Sequence, residues 1–227
     1  MILMTNRFLN SARLRASCAL TIASIAGLGC ASMNKKETGA VVGATTGGAV
    51  GAVVGNATGS TARGAIIGAV VGGAAGAIIG HQMDQQAKEL KVAIPGATVE
   101  RVGEGIQVTF ASGLLYDFDS DAIKPTAAEN LRKLAASLKE YPTTDLLIVG
   151  HTDGQGSDDY NMALSQRRAV SASTYLEAQG VAPSRLRATG RGELEPVTTN
   201  DTEAGRQKNR RIEVAIYSSK KADESSK

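Results

Sequence analysis

The chain has 227 residues, of which 42% are hydrophobic and only 4% aromatic, so its core has to be built mainly from aliphatic side chains. This length fits one ordinary domain with an extension, or two small domains. The formal charge of +3 argues against a nucleic-acid partner, because such proteins usually carry a strong basic excess. Two cysteines and two histidines exclude zinc-finger, iron–sulfur and disulfide-framework proteins.

Residues 1–29 have the pattern of a secretory signal peptide. Arg7, Arg13 and Arg15 form a positive region, and an uncharged, mostly apolar stretch runs from Ala16 to Gly29. Removal of this segment leaves 22 basic against 22 acidic residues, so the mature chain is predicted to be formally neutral.

Cys30 follows small residues and resembles the lipidated cysteine of a bacterial lipobox, although Gly27 stands where that pattern prefers a Leu-like residue. Cys18 leaves with the signal, so Cys30 has no disulfide partner, and an unpaired cysteine in an exported protein needs an explanation. The resemblance implies a lipid anchor in the outer membrane, with residues 30–38 as a lipidated linker. The alternative is an ordinary cleaved signal followed by an incidental cysteine.

Residues 39–80 contain an internal duplication in which glycine recurs every fourth residue. The two matching blocks are GAVVGATTGGAVGAVVG and GAIIGAVVGGAAGAIIG. This period places the glycines along one helical face, where two backbones can approach closely. We therefore predict a helical hairpin with its turn at residues 56–63. The segment resembles the glycine-zipper domains of envelope lipoproteins, and its expected partner is a second copy or a membrane protein. A flexible Gly/Ala linker is the alternative.

The pattern from residue 97 to residue 218 predicts an α+β domain in the order β-α-β-α-β(α)β. The predicted strands are 106–110, 146–149, 186–190 and 211–217, and the predicted helices start at Pro125 and cover 159–179 and 202–208. Residues 81–96 are expected to form a polar helix and linker, and residues 219–227 a disordered tail.

Three motifs in this region resemble the signature of OmpA-like C-terminal domains, which also occur in Pal lipoproteins and MotB stators. They are YDFDSDAIKP, GHTDGQGSDDYNMALSQRRA and NDTEAGRQKNRRIEV, starting at residues 116, 150 and 200. With the signal, Cys30 and the glycine repeat, the whole chain is similar to glycine-zipper, OmpA-like outer-membrane lipoproteins. The resemblance implies helices packed on a mixed sheet and non-covalent binding of peptidoglycan at diaminopimelate. It also implies a tether between outer membrane and cell wall, with the domain in the periplasm.

Diaminopimelate ends in an ammonium and a carboxylate on one carbon, so its site needs one fixed anion and one forked cation. Asp153, in the loop after the strand at 146–149, and Arg168, in the following helix, are expected to supply them. The alternative role for Asp153 is a turn-capping carboxylate. Arg210 matches a family arginine near the pocket, and an ion pair with an acidic neighbour is its alternative.

Five further residues are expected around this pair. Phe118 and Asp119 match family positions that line the pocket, as an apolar wall and a polar contact. Thr152 and Asn161 are expected to present side chains or to order the loop. Leu164, one turn before the arginine on the same helical face, is expected to wall the stem peptide.

The sequence carries no GxSxG, HExxH, Walker loop or CxxC motif. The spacing of His151 from Ser157 or Ser165 does not favour a Ser-His-Asp site, and the aspartates of 117–121 do not fit an EF-hand. We therefore expect no enzyme activity, no metal and no other cofactor. Two alternatives to a tether remain: an envelope assembly or chaperone-like factor acting through the glycine repeat, and a periplasmic peptidoglycan hydrolase.

Overall fold

The structure is a computed structural model that describes residues 59–71 and 77–219. The predicted signal peptide, the lipidation site at Cys30, the first glycine block and the tail from residue 220 lie outside the described residues. The second glycine block, residues 64–80, is described in part.

The described helices and strands form a mixed sheet with helices packed on it. In chain order the elements are α1 (Thr61–Val71), α2 (Ala77–Ala93), β1 (Ala97–Val102), β2 (Gly105–Ala111), α3 (Ser112–Leu115), α4 (Pro125–Glu140), β3 (Thr144–Gly150), α5 (Asp158–Ala178), a 3₁₀ turn (Pro183–Arg185), β4 (Leu186–Gly190), α6 (Glu203–Asn209) and β5 (Arg211–Ser218). The strand order is β1-β2-β5-β3-β4, in which β3 and β4 are parallel and the other neighbours antiparallel. This arrangement confirms the predicted fold class.

Alternate residues of the central strands face two different cores, because side chains point to opposite faces of a sheet. On one face, Leu146 and Ile148 of β3 join a large cluster with side chains of α2, α4 and α5. On the other face, Val149 of β3 and Ala215 of β5 pack against Ile66 of α1. β3 is therefore buried on both faces, as its short apolar run predicts.

α1 begins earlier than the sequence predicts and lies against the sheet. The predicted turn of the glycine repeat extends to Arg63, but α1 already starts at Thr61. Ser60 explains the difference because its Oγ accepts a hydrogen bond from the Arg63 backbone N–H at 3.2 Å, as an N-cap does. Ile66 is fully buried, and Gly105 of β2 leaves room for it: a Cβ at Gly105 would lie 2.6 Å from Ile66 Cγ2.

α2 runs through the predicted boundary between the glycine block and the polar helix at residue 81. Its polar half buries Met83, Ala87 and Leu90 in the main core, at the spacing of one helical stripe. Packing of this stripe, more than composition, therefore sets the extent of the helix. None of the helices that the structure describes is long and apolar enough to cross a membrane.

The structure adds a strand, β1, before the first predicted one. β1 pairs with β2 in an antiparallel hairpin in which Val102 lies opposite Gly105. Gly103, with φ of 53°, lies in its turn. β1 is a partly exposed edge strand, and Glu100 and Arg101 hide the alternation that would identify it.

α4 and α5 begin where local chemistry predicts. Pro125 is the first residue of α4, where its missing N–H costs nothing. Ser157 caps α5, since its Oγ accepts from the Tyr160 N–H at 3.3 Å. Gly180, with φ of 90°, follows the end of α5. Both helices are therefore confirmed, and α5 projects its first turns toward the loop that follows β3.

Candidate functional site

Three segments meet near the carboxyl end of β3 and form the candidate site. They are residues 151–155, the loop 117–120 and the first half of α5. Two glycines allow this approach, because a Cβ at Gly150 would lie 2.2 Å from a backbone oxygen of α5 and one at Gly190 would lie 2.4 Å from a backbone nitrogen of α5. Glycine therefore lets α5 lie directly on the ends of β3 and β4.

Asp153 is anchored by two contacts and is nearly buried, with 9% of its side chain exposed. Its Oδ1 accepts a hydrogen bond from the Gln155 backbone N–H at 3.1 Å, and its Oδ2 accepts one from Arg210 Nη1 at 2.5 Å. The turn contact that we expected as its alternative role is thus present. A carboxylate has about four acceptor positions, so Asp153 retains capacity for a further donor.

Arg168 is buried and held by the loop 117–120. Its Nε donates to the Ser120 backbone oxygen at 2.8 Å, and its Nη2 donates to the Asp117 backbone oxygen at 3.3 Å. The guanidinium carbon lies 5.3 Å from the centroid of the Tyr116 ring, a cation–π contact. Burial lowers the pKa of Arg168, but a guanidinium stays charged in proteins.

Asn161 connects α5, the helix that carries Arg168, to the loop that carries Asp153. Asn161, Leu164 and Arg168 share one buried helical face, and Asn161 Nδ2 donates to the Asp153 backbone oxygen at 3.3 Å. Arg168 is two turns, or about 10 Å, further along the helix axis, and helical side chains lean back toward the N-terminus. No ion pair joins the two charges among the described residues.

The contacts of Asn161 and Thr152 bear on their two expected roles, which are to order the loop or to present a side chain to a ligand. Asn161 orders the loop, because its Nδ2 also donates to the Gln155 backbone oxygen at 3.0 Å and to Glu193 Oε2 at 2.7 Å. The Thr152 backbone N–H donates to the Gly192 oxygen at 2.9 Å. Its buried Oγ1 has no hydrogen-bond partner among the described residues. Its predicted contact with a ligand stays a prediction.

Of the predicted lining residues, Phe118 and Asp119 are exposed and Leu164 is buried. Asp119, with φ of 55°, accepts a hydrogen bond from the Tyr160 hydroxyl, and this bond raises the pKa of Tyr160. Phe118, in the same loop, points outward and is 98% exposed, and its role as an apolar wall for a ligand stays a prediction. Leu164 is buried like Asp153 and Arg168, at 6% exposure, and its contact with the stem peptide stays a prediction.

Arg210 forms the ion pair that we expected as its alternative. Besides Asp153, its guanidinium contacts Glu203, where Nη2 lies 2.6 Å from Oε1. Hydrogen bonds from Arg210 and Arg206 lower the pKa of Glu203. Arg210 therefore fixes the carboxylate of Asp153 in place, which is a positioning role.

His151 belongs to the interior of the domain. It is buried, and neither ring nitrogen has a hydrogen-bond partner among the described residues. Burial and the nearby cations Arg211 and Arg191 hold the pKa of His151 well below its usual range. The Ser165 hydroxyl donates to a backbone oxygen of its own helix, so the described residues contain no hydrogen-bonded Ser-His-Asp triad. In the same ranges no three His, Cys, Asp or Glu side chains are grouped as metal ligands.

The sequence reasoning misses two tyrosines that hold the site together. Tyr116 is 2% exposed, and its hydroxyl donates to the Arg168 backbone oxygen at 2.6 Å. Tyr160 ties the first turn of α5 to Asp119. Both tyrosines lie inside the motifs that carry the family resemblance. Their position in sequence beside the predicted site residues is the feature from which their role could have been predicted.

Comparison with known proteins covers both parts of the chain. Residues 115–210 match the model of the OmpA family. Residues 12–84 match the model of the YMGG-like Gly-zipper. The OmpA match therefore includes the loop 117–120, Asp153, Arg168 and Arg210, whereas the zipper match includes α1.

Two named relatives show the extent of the similarity. "Probable lipoprotein YiaD" of Escherichia coli (strain K12) is 38% identical over 138 residues, covering 60% of this chain and 63% of that protein. "Peptidoglycan-associated lipoprotein" of Brucella melitensis biotype 1 is 34% identical over 121 residues, covering 53% of this chain and 72% of that protein. The chain thus spans less than two thirds of the first relative's length.

A solved structure shares the fold. The cell wall anchor of the T6SS from Pseudomonas aeruginosa matches with a TM-score of 0.52 and 27% sequence identity, over 60% of this chain and 96% of that chain. The mixed sheet, the three sequence motifs, the family matches and the Brucella relative agree with one another. This chain belongs to the OmpA family and carries a YMGG-like Gly-zipper segment.

Proposed function

We propose that this chain binds peptidoglycan non-covalently, holding the free end of diaminopimelate in the stem peptide between Asp153 and Arg168. Its relatives support the ligand class, since one is named a peptidoglycan-associated lipoprotein and a protein of similar fold is a cell wall anchor. The ammonium of that ligand end matches the Asp153 carboxylate, and its carboxylate matches the guanidinium of Arg168.

The proposal rests on two buried, opposite charges with remaining hydrogen-bonding capacity, one on α5 and one on the loop that Asn161 of α5 contacts. Arg168 commits two of its five N–H donors to backbone oxygens of the loop 117–120. Asp153 accepts two hydrogen bonds and has further acceptor positions. An anion and a forked cation with such remaining positions match the ammonium and the carboxylate at the free end of diaminopimelate.

The protein already holds both charges, which reduces the entropy lost on binding. The Gln155 N–H and Arg210 fix Asp153, and two loop carbonyls fix Arg168. Each charge-assisted hydrogen bond to the ligand contributes roughly 1.5–3 kcal/mol. Recognition of this kind forms and breaks no covalent bond, so the site needs neither a nucleophile nor a metal.

We further propose that acylation of Cys30 makes this binding a tether between the outer membrane and the wall. The support is the sequence pattern before Cys30 and a relative named as a lipoprotein. Several acyl chains on one cysteine provide stable anchoring. Mass spectrometry of the mature N-terminus tests the anchor: an acylated Cys30 is expected, and an unmodified N-terminus at another residue contradicts it.

Co-sedimentation with purified diaminopimelate-type peptidoglycan tests the site. Asp153→Asn and Arg168→Lys are expected to lose binding while their circular dichroism stays that of the parent chain. Arg167→Lys is the matched control, because Arg167 adjoins Arg168 but is half exposed and pairs with Asp121 at 3.3 Å. Sedimentation of both site variants like the parent contradicts the assignment. Release of soluble wall fragments by the parent chain favours the hydrolase alternative.

A further inference from the structure

The start of α1 docks into a group of charged side chains beside the candidate site. Ser60 Oγ donates to Glu213 Oε2 at 3.0 Å. The Thr61 backbone N–H donates to Glu195 Oε2 at 2.9 Å, and the Thr61 hydroxyl donates to the other oxygen of Glu195. The first N–H groups of a helix lack partners within the helix and favour a negative charge, so two carboxylates hold the end of α1.

Glu195 accepts two of these three hydrogen bonds. Its side chain is 12% exposed and lies 3.1 Å from Arg191 Nε. Arg191 Nε also donates to the Thr61 hydroxyl at 2.7 Å, which closes a three-residue network. The Glu195 backbone oxygen accepts from Arg211 Nη2 at 3.0 Å, so Glu195 is fixed to β5 as well. Partly buried, mutually paired charges of this kind form a rigid connection.

The same short segment, residues 191–195, also supports the loop that carries Asp153. The Gly192 backbone oxygen accepts the Thr152 N–H at 2.9 Å. Glu193 Oε2 accepts a hydrogen bond from Asn161 Nδ2 at 2.7 Å. Asn161 is the side chain that orders the loop 151–155. The two ends of the segment, Arg191 and Glu195, therefore hold α1, and the residues between them contact the predicted ligand loop and Asn161.

We propose that docking of α1 and binding of the wall peptide are coupled through residues 191–195, with Glu195 as a positioning residue between them. The inference rests on the proposed function. In this account the ligand loop has its binding geometry when α1 is docked, and a bound peptide in turn strengthens the docking of α1. Coupling between two sites is reciprocal and typically amounts to about 5-fold to 150-fold in affinity.

The coupling has a consequence for the glycine repeat. α1 overlaps the second glycine block. A partner that binds α1 and displaces it from the sheet therefore weakens binding of the wall peptide. When α1 stays docked on the sheet, the affinity for the wall peptide is retained. The repeat therefore regulates the same domain to which it is joined.

The test measures hydrogen exchange of the α1 backbone amides in the full chain, with and without a saturating soluble diaminopimelate tripeptide. In the parent chain the peptide is expected to slow exchange in α1. Glu195→Gln is expected to lose that added protection and to bind the peptide at least about 5-fold more weakly. Glu100→Gln is the matched control, since Glu100 also contacts α1, through Arg63 at 3.1 Å, but is half exposed. It is expected to behave like the parent chain.

Thr61→Val is a second test of the coupling if Glu195→Gln does not fold. It removes one hydroxyl of α1 and alters no residue of the ligand loop. It is expected to reduce both the added protection and the peptide affinity. Peptide binding by the parent chain without any change in α1 exchange overturns the coupling and leaves the proposed function intact. Absence of peptide binding by the parent chain overturns both.

Discussion

Ile66→Ala tests whether α1, a part of the glycine repeat, is a structural element of the OmpA-like domain. Ile66 is fully buried and packs with Val149 and Ala215 of the sheet. The adjoining Gly105 site is bounded by the Ile216 backbone oxygen, which cannot move into a vacated space without disturbing the β2–β5 pairing.

The packing around Ile66 determines how much unfolding free energy the substitution is expected to remove. Truncation of a buried isoleucine to alanine typically costs about 2–5 kcal/mol, with larger values where the cavity cannot collapse. Because sheet backbone lines one side of the Ile66 site, we expect the upper part of that range, about 3–5 kcal/mol. Detachment of α1 sets the upper bound, since the loss cannot exceed the free energy of docking.

The assay is urea unfolding of the parent chain, Ile66→Ala and Ile67→Ala, followed by circular dichroism. Ile67 is the matched control because it is the same residue type, one position later and only partly buried. We expect a much smaller loss for Ile67→Ala, and an m-value that stays constant unless α1 detaches. Equal losses for the two variants would refute the docking of α1 through Ile66.

Three further predictions concern the site. Burial holds the pKa of His151 below its usual range, so below pH about 6.5 the unfolded chain binds a proton that the folded chain does not. Stability is then full above that pH and falls by up to ~1.4 kcal/mol per pH unit below it; urea titrations at pH 7.5 and 5.5 should show this fall, and His151→Leu should lose it. Tyr116→Phe leaves the Arg168 backbone oxygen without its 2.6 Å donor and is expected to cost about 1 kcal/mol of unfolding free energy, measured by urea unfolding; an unchanged midpoint contradicts that contact. Arg210→Gln is expected to weaken peptide binding less than Asp153→Asn does, because it removes a support and not a ligand contact; equal losses in calorimetric titrations would place Arg210 on the ligand.

Local chemistry predicts much of the fold. Pro125 at the start of α4, the Ser157 cap of α5 and Gly180 after it each act within one turn of the chain, so the sequence shows them directly. β1 is missed because its charged edge positions carry no clear alternation. The docking of α1 depends on Ile66 meeting Gly105, and no local pattern contains that pair.

In the candidate site, too, some features follow from a local motif and others depend on contacts between residues that are distant in the sequence. Asp153 and Arg168 follow from a motif whose residues lie on one loop and one helix. The outward position of Phe118 depends on how Asp119 and Arg168 hold the loop, which no single motif records. The pairing of Arg210 with Asp153 joins residues that are 57 positions apart, so the sequence leaves its two roles open.

The most direct test of the central claim compares the affinity of the parent chain for two soluble tripeptides by isothermal titration calorimetry. One ends in diaminopimelate, and the other carries lysine in its place and so lacks the carboxylate assigned to Arg168. Loss of a charge-assisted hydrogen bond worth roughly 1.5–3 kcal/mol predicts that the lysine peptide binds about 10-fold to 150-fold more weakly. Arg168→Lys is expected to remove most of that difference. Equal affinity of the parent chain for the two peptides contradicts the proposed recognition of diaminopimelate.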